Sequence, residues 1–186
     1  MIAAPGALGR EFFERECEVV ARELLGAVLV HGRRAGRIVE TEAYLGADDL
    51  ASHARFGETA RNRVMFGAGG ASYVYLIYGM HEMFNVVADR AGRPSAVLVR
   101  AIEPVAGLGD DAAVGRGPGK LTRALGITRT HSGVDLTTSR RLYIAAGARA
   151  REVEVGPRVG IDYAGAWAKA ALRFWIPGSP AVSRGR

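Results

Sequence analysis

Glu40, Glu42 and Tyr44 stand two residues apart in the segment Arg37-Ile38-Val39-Glu40-Thr41-Glu42-Ala43-Tyr44. Read as a β-strand, this segment alternates so that Ile38, Glu40, Glu42 and Tyr44 share one face. A carboxylate can serve as general base toward water, and a neighbouring phenol ring can stack on a flat substrate. Two carboxylates and a ring make a poor core pattern, however, and taken alone the segment fits a solvent-facing edge strand better than a site. Arg100 shifts that balance, because it interrupts Ala96-Val97-Leu98-Val99-Arg100-Ala101-Ile102, a run that otherwise reads as a buried strand. A buried guanidinium needs an anionic partner. Glu40 and Glu42 are the candidates, either in a structural ion pair or with the arginine orienting a catalytic carboxylate and its water.

A second signal comes from Tyr73–Tyr78 and Met83–Ala88, which flank Gly79 and predict a β-hairpin with Tyr78, Met80 and His81 at or near its tip. Apolar side chains at such a tip can wedge between base pairs and fill the gap left by an extruded nucleotide. A hairpin folded back on the core would bury them instead. Gly115-Arg116-Gly117-Pro118-Gly119-Lys120-Leu121 is not a nucleotide-triphosphate loop, since Val114 occupies a required glycine position and Leu121 replaces Ser/Thr. The helix start with Lys120 remains a candidate for one phosphate contact. His81-Glu82 lacks the second histidine of a zinc protease motif, Asn85 standing there. Asp48, Asp49 and His53 could in principle hold a metal, but no further ligands lie nearby, and no metal is expected. The stretch His53 to Arg63, with Arg55, Arg61 and Arg63, reads as a solvated basic loop or as a grip on a polyanionic backbone.

The elements that must position these residues follow from periodicity and turn signals. A helix is predicted over Glu11–Leu25, ending at Gly26, followed by strands Ala27–Val30 and Arg37–Tyr44 around a turn at Arg33–Gly36. A short helix is predicted over Asp48–His53, then a glycine-rich turn at Gly67–Gly70, the hairpin, and a strand Ser95–Ile102 closed by Pro104. A flexible connection spans Gly107–Gly117, and a helix starts at Pro118 and stops before Gly126. Further strands are expected at Arg141–Ala145, Arg158–Ile161 and Leu172–Trp175, and residues 1–9 and 183–186 as loose termini. Mixed strands with few helices predict an α+β domain rather than a βαβ sheet.

The chain of 186 residues fits a single domain. Its net charge of +6 suits a polyanionic partner, although arginine bias from genome composition would give the same figure. Cys17 is the only cysteine, which excludes an internal disulfide and a thiolate-rich metal site. The sequence begins without a signal peptide and contains no bilayer-spanning apolar run, so a cytoplasmic protein without membrane contact is expected.

Taken together, several blocks closely resemble the alkyladenine (3-methyladenine) DNA glycosylase family of the mammalian type, which has bacterial members. They are Arg37–Gly46, Arg61-Asn62-Arg63 with Met65-Phe66, Tyr73–Met80, Asn85, Val97–Pro104, Gly117-Pro118 with Lys120-Leu121, and Leu172-Arg173-Phe174 with Gly178-Ser179-Pro180. The resemblance implies a curved mixed or antiparallel sheet flanked by helices, with a protruding hairpin. It implies a monofunctional enzyme, nucleoid-associated if bacterial. Such an enzyme flips alkylated or deaminated purines, such as 3-methyladenine or hypoxanthine, out of double-stranded DNA and hydrolyses the N-glycosidic bond as a monomer, without metal or cofactor. In that scheme Glu42 activates water and Arg100 helps to hold the water and the carboxylate. Tyr44, His53 and Tyr75 line the base pocket, Asn85 crowds it against guanine, and Tyr78 intercalates with Met80 beside it. Arg61, Arg63 and Lys120 are candidate backbone contacts. The sequence departs from the family in its short 105–117 connection and in Ala60 and Val64, which puts affinity and substrate breadth in question.

Overall fold

The computed structural model describes residues 6–183. Two short helices, α1 (Arg10–Phe13) and α2 (Cys17–Glu23), precede strands β1 (Val28–His31) and β2 (Arg34–Tyr44). After two 3₁₀ turns come β3 (Ser72–Ile77), β4 (His81–Ala88) and β5 (Ser95–Ala106), then α3 (Pro118–Leu125), β6 (Leu142–Ala145), β7 (Glu154–Gly156) and β8 (Arg173–Trp175). The strands form one sheet in the order β3-β4-β5-β2-β1-β6, with β8 pairing β2 and β7 on a side branch. Every named pair is antiparallel. The fold is the expected α+β type, a curled antiparallel sheet with helices packed on it.

The main core lies between this sheet and the helices. Val20, Ala21, Leu24 and Leu25 from α2 and its end, and Leu121 and Leu125 from α3, meet Leu29, Ile38, Ala43, Val97, Val99 and Ile102 from the strands. Burial of these side chains, about 1.5–3 kcal/mol for each Val, Leu or Ile, anchors the long strands β2 and β5 on which Glu42 and Arg100 are carried.

Several boundaries differ from the sequence reading for identifiable reasons. The single helix expected over Glu11–Leu25 is broken after Phe13, because the Asp89 amide takes the carbonyls of Phe13 and Arg15 at 2.9 and 3.0 Å. Strand β2 starts at Arg34, the reversal falling at Gly32, where φ is 61°. At Gly36 a Cβ would lie 2.4 Å from the Ile102 side chain, so close sheet packing and not a turn requires that glycine. Strand β5 runs on through Pro104, which sits opposite Gly36 beside a register shift, where a missing ladder donor is tolerated. Asp48–Ser52 is not helical; a 3₁₀ turn begins only at the last expected residue and runs over His53–Phe56. Arg158–Ile161 is not a strand either, since β7 ends at Gly156 and Pro157 has no amide to continue a ladder.

The termini are tied down further than the sequence suggests. Ala7 bridges Ala145, and the Leu8 amide donates to Ile144 at 2.8 Å. Ser183 is buried, its amide 2.6 Å from Glu40 Oε2. The other residues expected to be loose, 1–5 and 184–186, lie outside the described residues.

The hairpin between β3 and β4 has the expected tip. Met80 donates to the Ile77 carbonyl at 3.2 Å, and Tyr78 and Gly79 take positive φ values of 51° and 70°. That pair of angles, as in type I′ turns, suits Asn-Gly, whereas a bulky side chain is strained there. Tyr78 is nonetheless 85% exposed, so burial does not offset the strain. Replacing Tyr78 with Asn is therefore expected to stabilise the fold by about 1 kcal/mol. Thermal unfolding would show a midpoint raised by roughly 2–4 °C.

Candidate active site

A β-bulge sets which side chains of β2 enter the site. The register with β5 slips between Ile38, opposite Ile102, and Glu40, opposite Ala101, and again before Thr41. One extra residue on β2, Val39, and one on β5, Arg100, interrupt the alternation of both strands, and the original pairing resumes at Thr41. Ile38 consequently joins the α2-side core and does not share a face with Glu40, Glu42 and Tyr44, correcting the simple alternating pattern. Beyond the bulge the pattern holds: the Tyr44 hydroxyl donates to Glu42 Oε2 at 2.9 Å.

Glu40 and Glu42 are fully buried, and Arg100 stands between them. Its Nε donates to Glu40 Oε1 at 3.0 Å, and its Nη1 lies 3.3 Å from Glu42 Oε1. Burial works against the Arg100 cation, but Glu42 and Glu40 outweigh it and raise its pKa. The two carboxylates are differently engaged. Glu40 also receives Arg173 Nε at 2.7 Å, the Ser183 hydroxyl at 2.8 Å and the Ser183 amide. Glu42 accepts from the Val159 amide at 2.8 Å through Oε1. Among the described residues only the Tyr44 hydroxyl donates to Oε2, which therefore carries one more acceptor position. Glu40 is engaged by Arg100, Arg173 and Ser183, its Oε2 accepting only the Ser183 amide, whereas Glu42 Oε2 is joined to the Tyr44 phenol.

Next to this pair, Tyr44, His53, Tyr73, Tyr75 and Asn85 line one pocket together with Met65. The rings of His53 and Tyr75 meet edge to face, 4.5 Å between centroids. The space between the side chains is closed to about 20 Å³, room for roughly one water molecule. Burial, with Glu42 adding to it, pushes the Tyr44 phenol well above its usual range, so it is a stable O–H donor. Burial and then the cations Arg61 and Arg55 depress His53 to about 4. Its Nδ1 lies 2.9 Å from the Tyr73 hydroxyl, and Asn62 Nδ2 donates to its carbonyl at 3.0 Å. Asn85 is pinned in β4 by bonds from Nδ2 to the Tyr73 and Met83 carbonyls.

The remaining predicted residues do not line this pocket. Tyr75 leads along β3 to Tyr78, and at about 3.3 Å per residue the tip projects roughly 10 Å beyond it. Met80 is 66% exposed beside Tyr78. Arg61 is tied to the hairpin, donating to the Leu76 carbonyl and lying 5.2 Å over the Tyr75 ring. Arg63 makes an exposed pair with Glu58, and Lys120 is exposed on α3. A larger groove of about 700 Å³, lined by Glu16, Glu18, Arg22, Asp48 and Asp89, contains none of the predicted site residues.

Asp49, weighed from sequence as a metal ligand, instead pairs with Arg158 through both oxygens. Among the described residues no three potential metal ligands converge. Arg158, the Val159 amide, Arg173 and Ser183 escaped the sequence reading. Arg173 lies inside one matching block, Leu172–Phe174, and was the one detectable signal.

A profile of the methylpurine-DNA glycosylase family matches residues 11–180. A protein from Myxococcus xanthus (strain DK1622), named "Putative 3-methyladenine DNA glycosylase", is 53% identical over 96% of this chain and 94% of its own length. Proteins of the same name from Methanocella arvoryzae and Legionella pneumophila (strain Lens) are 47% and 46% identical, over 95% of this chain and 96% and 98% of theirs.

The two carboxylates should separate in stability. Glu40→Gln takes the carboxylate from Arg173 and leaves Arg100 only the longer 3.3 Å pairing with Glu42, and is expected to cost about 3–5 kcal/mol in urea denaturation. Glu42→Gln, which leaves Arg100 its pairing with Glu40, should cost about 1 kcal/mol. His53 gives a pH signature. Between its ordinary 6.5 and about 4 the unfolded chain takes up a proton that the folded chain refuses, so stability falls as pH drops through that window. Unfolding measured across that range should show a shallower loss for His53→Gln.

Proposed function

The chain belongs to the methylpurine-DNA glycosylase family, and we propose that it turns a damaged purine out of duplex DNA and cleaves its N-glycosidic bond with water activated by Glu42. The observation that carries this reading is the placement of the two buried carboxylates: Glu42 Oε2 is joined to the hydroxyl of Tyr44, which lines the aromatic pocket, whereas Glu40 is bonded to Arg100, Arg173 and Ser183, none of which lines it.

In this reading Tyr78, held outward at the hairpin tip with Met80 beside it, enters the base stack and fills the space of the extruded nucleotide. The base parts Tyr44 from His53 and Tyr75 as it enters, because the unliganded pocket holds only about 20 Å³. Stacking on electron-rich phenol rings favours a cationic, alkylated purine. Asn85, immobilised by its two carbonyl partners, crowds the exocyclic amine of guanine, a penalty that the weakened glycosidic bond of 7-methylguanine offsets and that of normal guanine does not. Glu42 Oε2 takes a proton from water as the water oxygen bonds to C1′ of the deoxyribose. The glycosidic bond electrons leave with the base, so a cationic alkylpurine departs neutral without needing a donor. Arg100 opposes proton uptake by Glu42 until attack, and holds the carboxylate and water in place. Arg61, Arg63 and Lys120 would neutralise phosphates along the strand.

Glu42→Gln tests the assignment. Base release from duplexes carrying 7-methylguanine or hypoxanthine, followed by chromatography, should fall to background while binding to the same duplexes persists. Turnover equal to that of the wild type would remove Glu42 from the reaction. Release from only the 7-methylguanine duplex would confine the enzyme to cationic bases.

A further inference from the structure

We infer that Arg158, locked by Asp49, is a positioning residue that sets both Glu42 and Tyr44 for base release; the inference rests on the roles proposed for those two residues. The Arg158 and Asp49 side chains are both fully buried. Nη2 donates to Asp49 Oδ1 at 2.8 Å and Nη1 to Asp49 Oδ2, so the fork is held bidentate. Nη1 also donates to the carbonyl of Ala43 at 2.8 Å, the residue between Glu42 and Tyr44. The guanidinium carbon lies 4.6 Å over the Tyr44 ring. The next residue, Val159, gives its amide to Glu42 Oε1.

One side chain thus touches the backbone between the two site residues, covers one face of the stacking ring, and fixes the amide that aims the carboxylate. Asp49 extends the brace, because its oxygens also accept the amides of Leu45 and Ala51 on the loop that follows Tyr44. With one ring face covered by Arg158, the other face of Tyr44 is the one available to a purine. A buried ion pair is weak as a stabilising device, since desolvation consumes most of its attraction. Arg158 Nε is in addition buried without a hydrogen-bond partner. What this arrangement supplies is orientation, and catalysis is sensitive to displacements of about 1 Å.

Arg158→Lys keeps the charge but loses the fork and the planar contact with the ring. With enzyme saturating over a 7-methylguanine duplex, at a temperature below its unfolding transition, its single-turnover release rate should fall roughly 10- to 100-fold. Affinity for undamaged duplex should stay unchanged. Combined with Tyr44→Leu, its effect should shrink, because Arg158 acts partly through that ring; a purely structural role would make the two losses multiply. If Arg158→Lys does not fold, Asp49→Asn carries the same comparisons. A full release rate in the folded variant, multiplying losses, or failure of both variants to fold would overturn the positioning role. Glu42→Gln run alongside separates the two ideas. Activity in that variant removes the site assignment, whereas an inactive Glu42→Gln beside a fully active Arg158→Lys removes only this inference.

Discussion

Arg100 between two buried carboxylates is the constraint around which the molecule is arranged. An arginine inside a strand core and two glutamates on the neighbouring strand are each untenable alone, because removing a charge from water costs several kcal/mol even after relaxation. Together they are tenable only if strands β2 and β5 hold a fixed register. The long β2–β5 ladder, the bulge after Ile38 and the helices packed behind it supply that register. The sheet positions the site, and the site's charges in turn penalise any slip of the sheet.

Within this arrangement the two glutamates have diverged through their surroundings alone. Glu40 is enclosed by Arg100, Arg173 and Ser183 and serves as the counter-charge. Glu42, two residues on, faces a phenol, an amide and one guanidinium edge. The pocket beside it is closed by its own aromatic rings, and Glu42 is screened from bulk water.

The sequence made local periodicity and unusual residue types legible. Tyr44 beside Glu42, Arg100 in an apolar run, and Tyr78 and Met80 at a hairpin tip were all visible, because each violates a local expectation. What stayed hidden depended on distant partners or single-residue irregularities. The bulge that turns Ile38 away from Glu40 follows from pairing with β5 and leaves no mark in β2 itself. The helix break after Phe13 comes from the Asp89 amide, far along the chain. Arg158 read as part of a strand because its partner Asp49 lies 109 positions earlier. Asp49 read as a possible ligand for the same reason.

The bonds from Ser183 to Glu40 span 143 positions. A chain made from its N-terminus forward presents Glu40 long before residues 173 and 183 exist to neutralise and cap it. Contacts of such separation form slowly, after their closure entropy has been met. The nascent polypeptide can therefore collapse its helices and central strands while the carboxylate pair is still exposed to solvent and misaligned. The buried carboxylate is capped only when the closing segment is in place, which makes that segment the last lock on the β2–β5 charges as well as a structural strap.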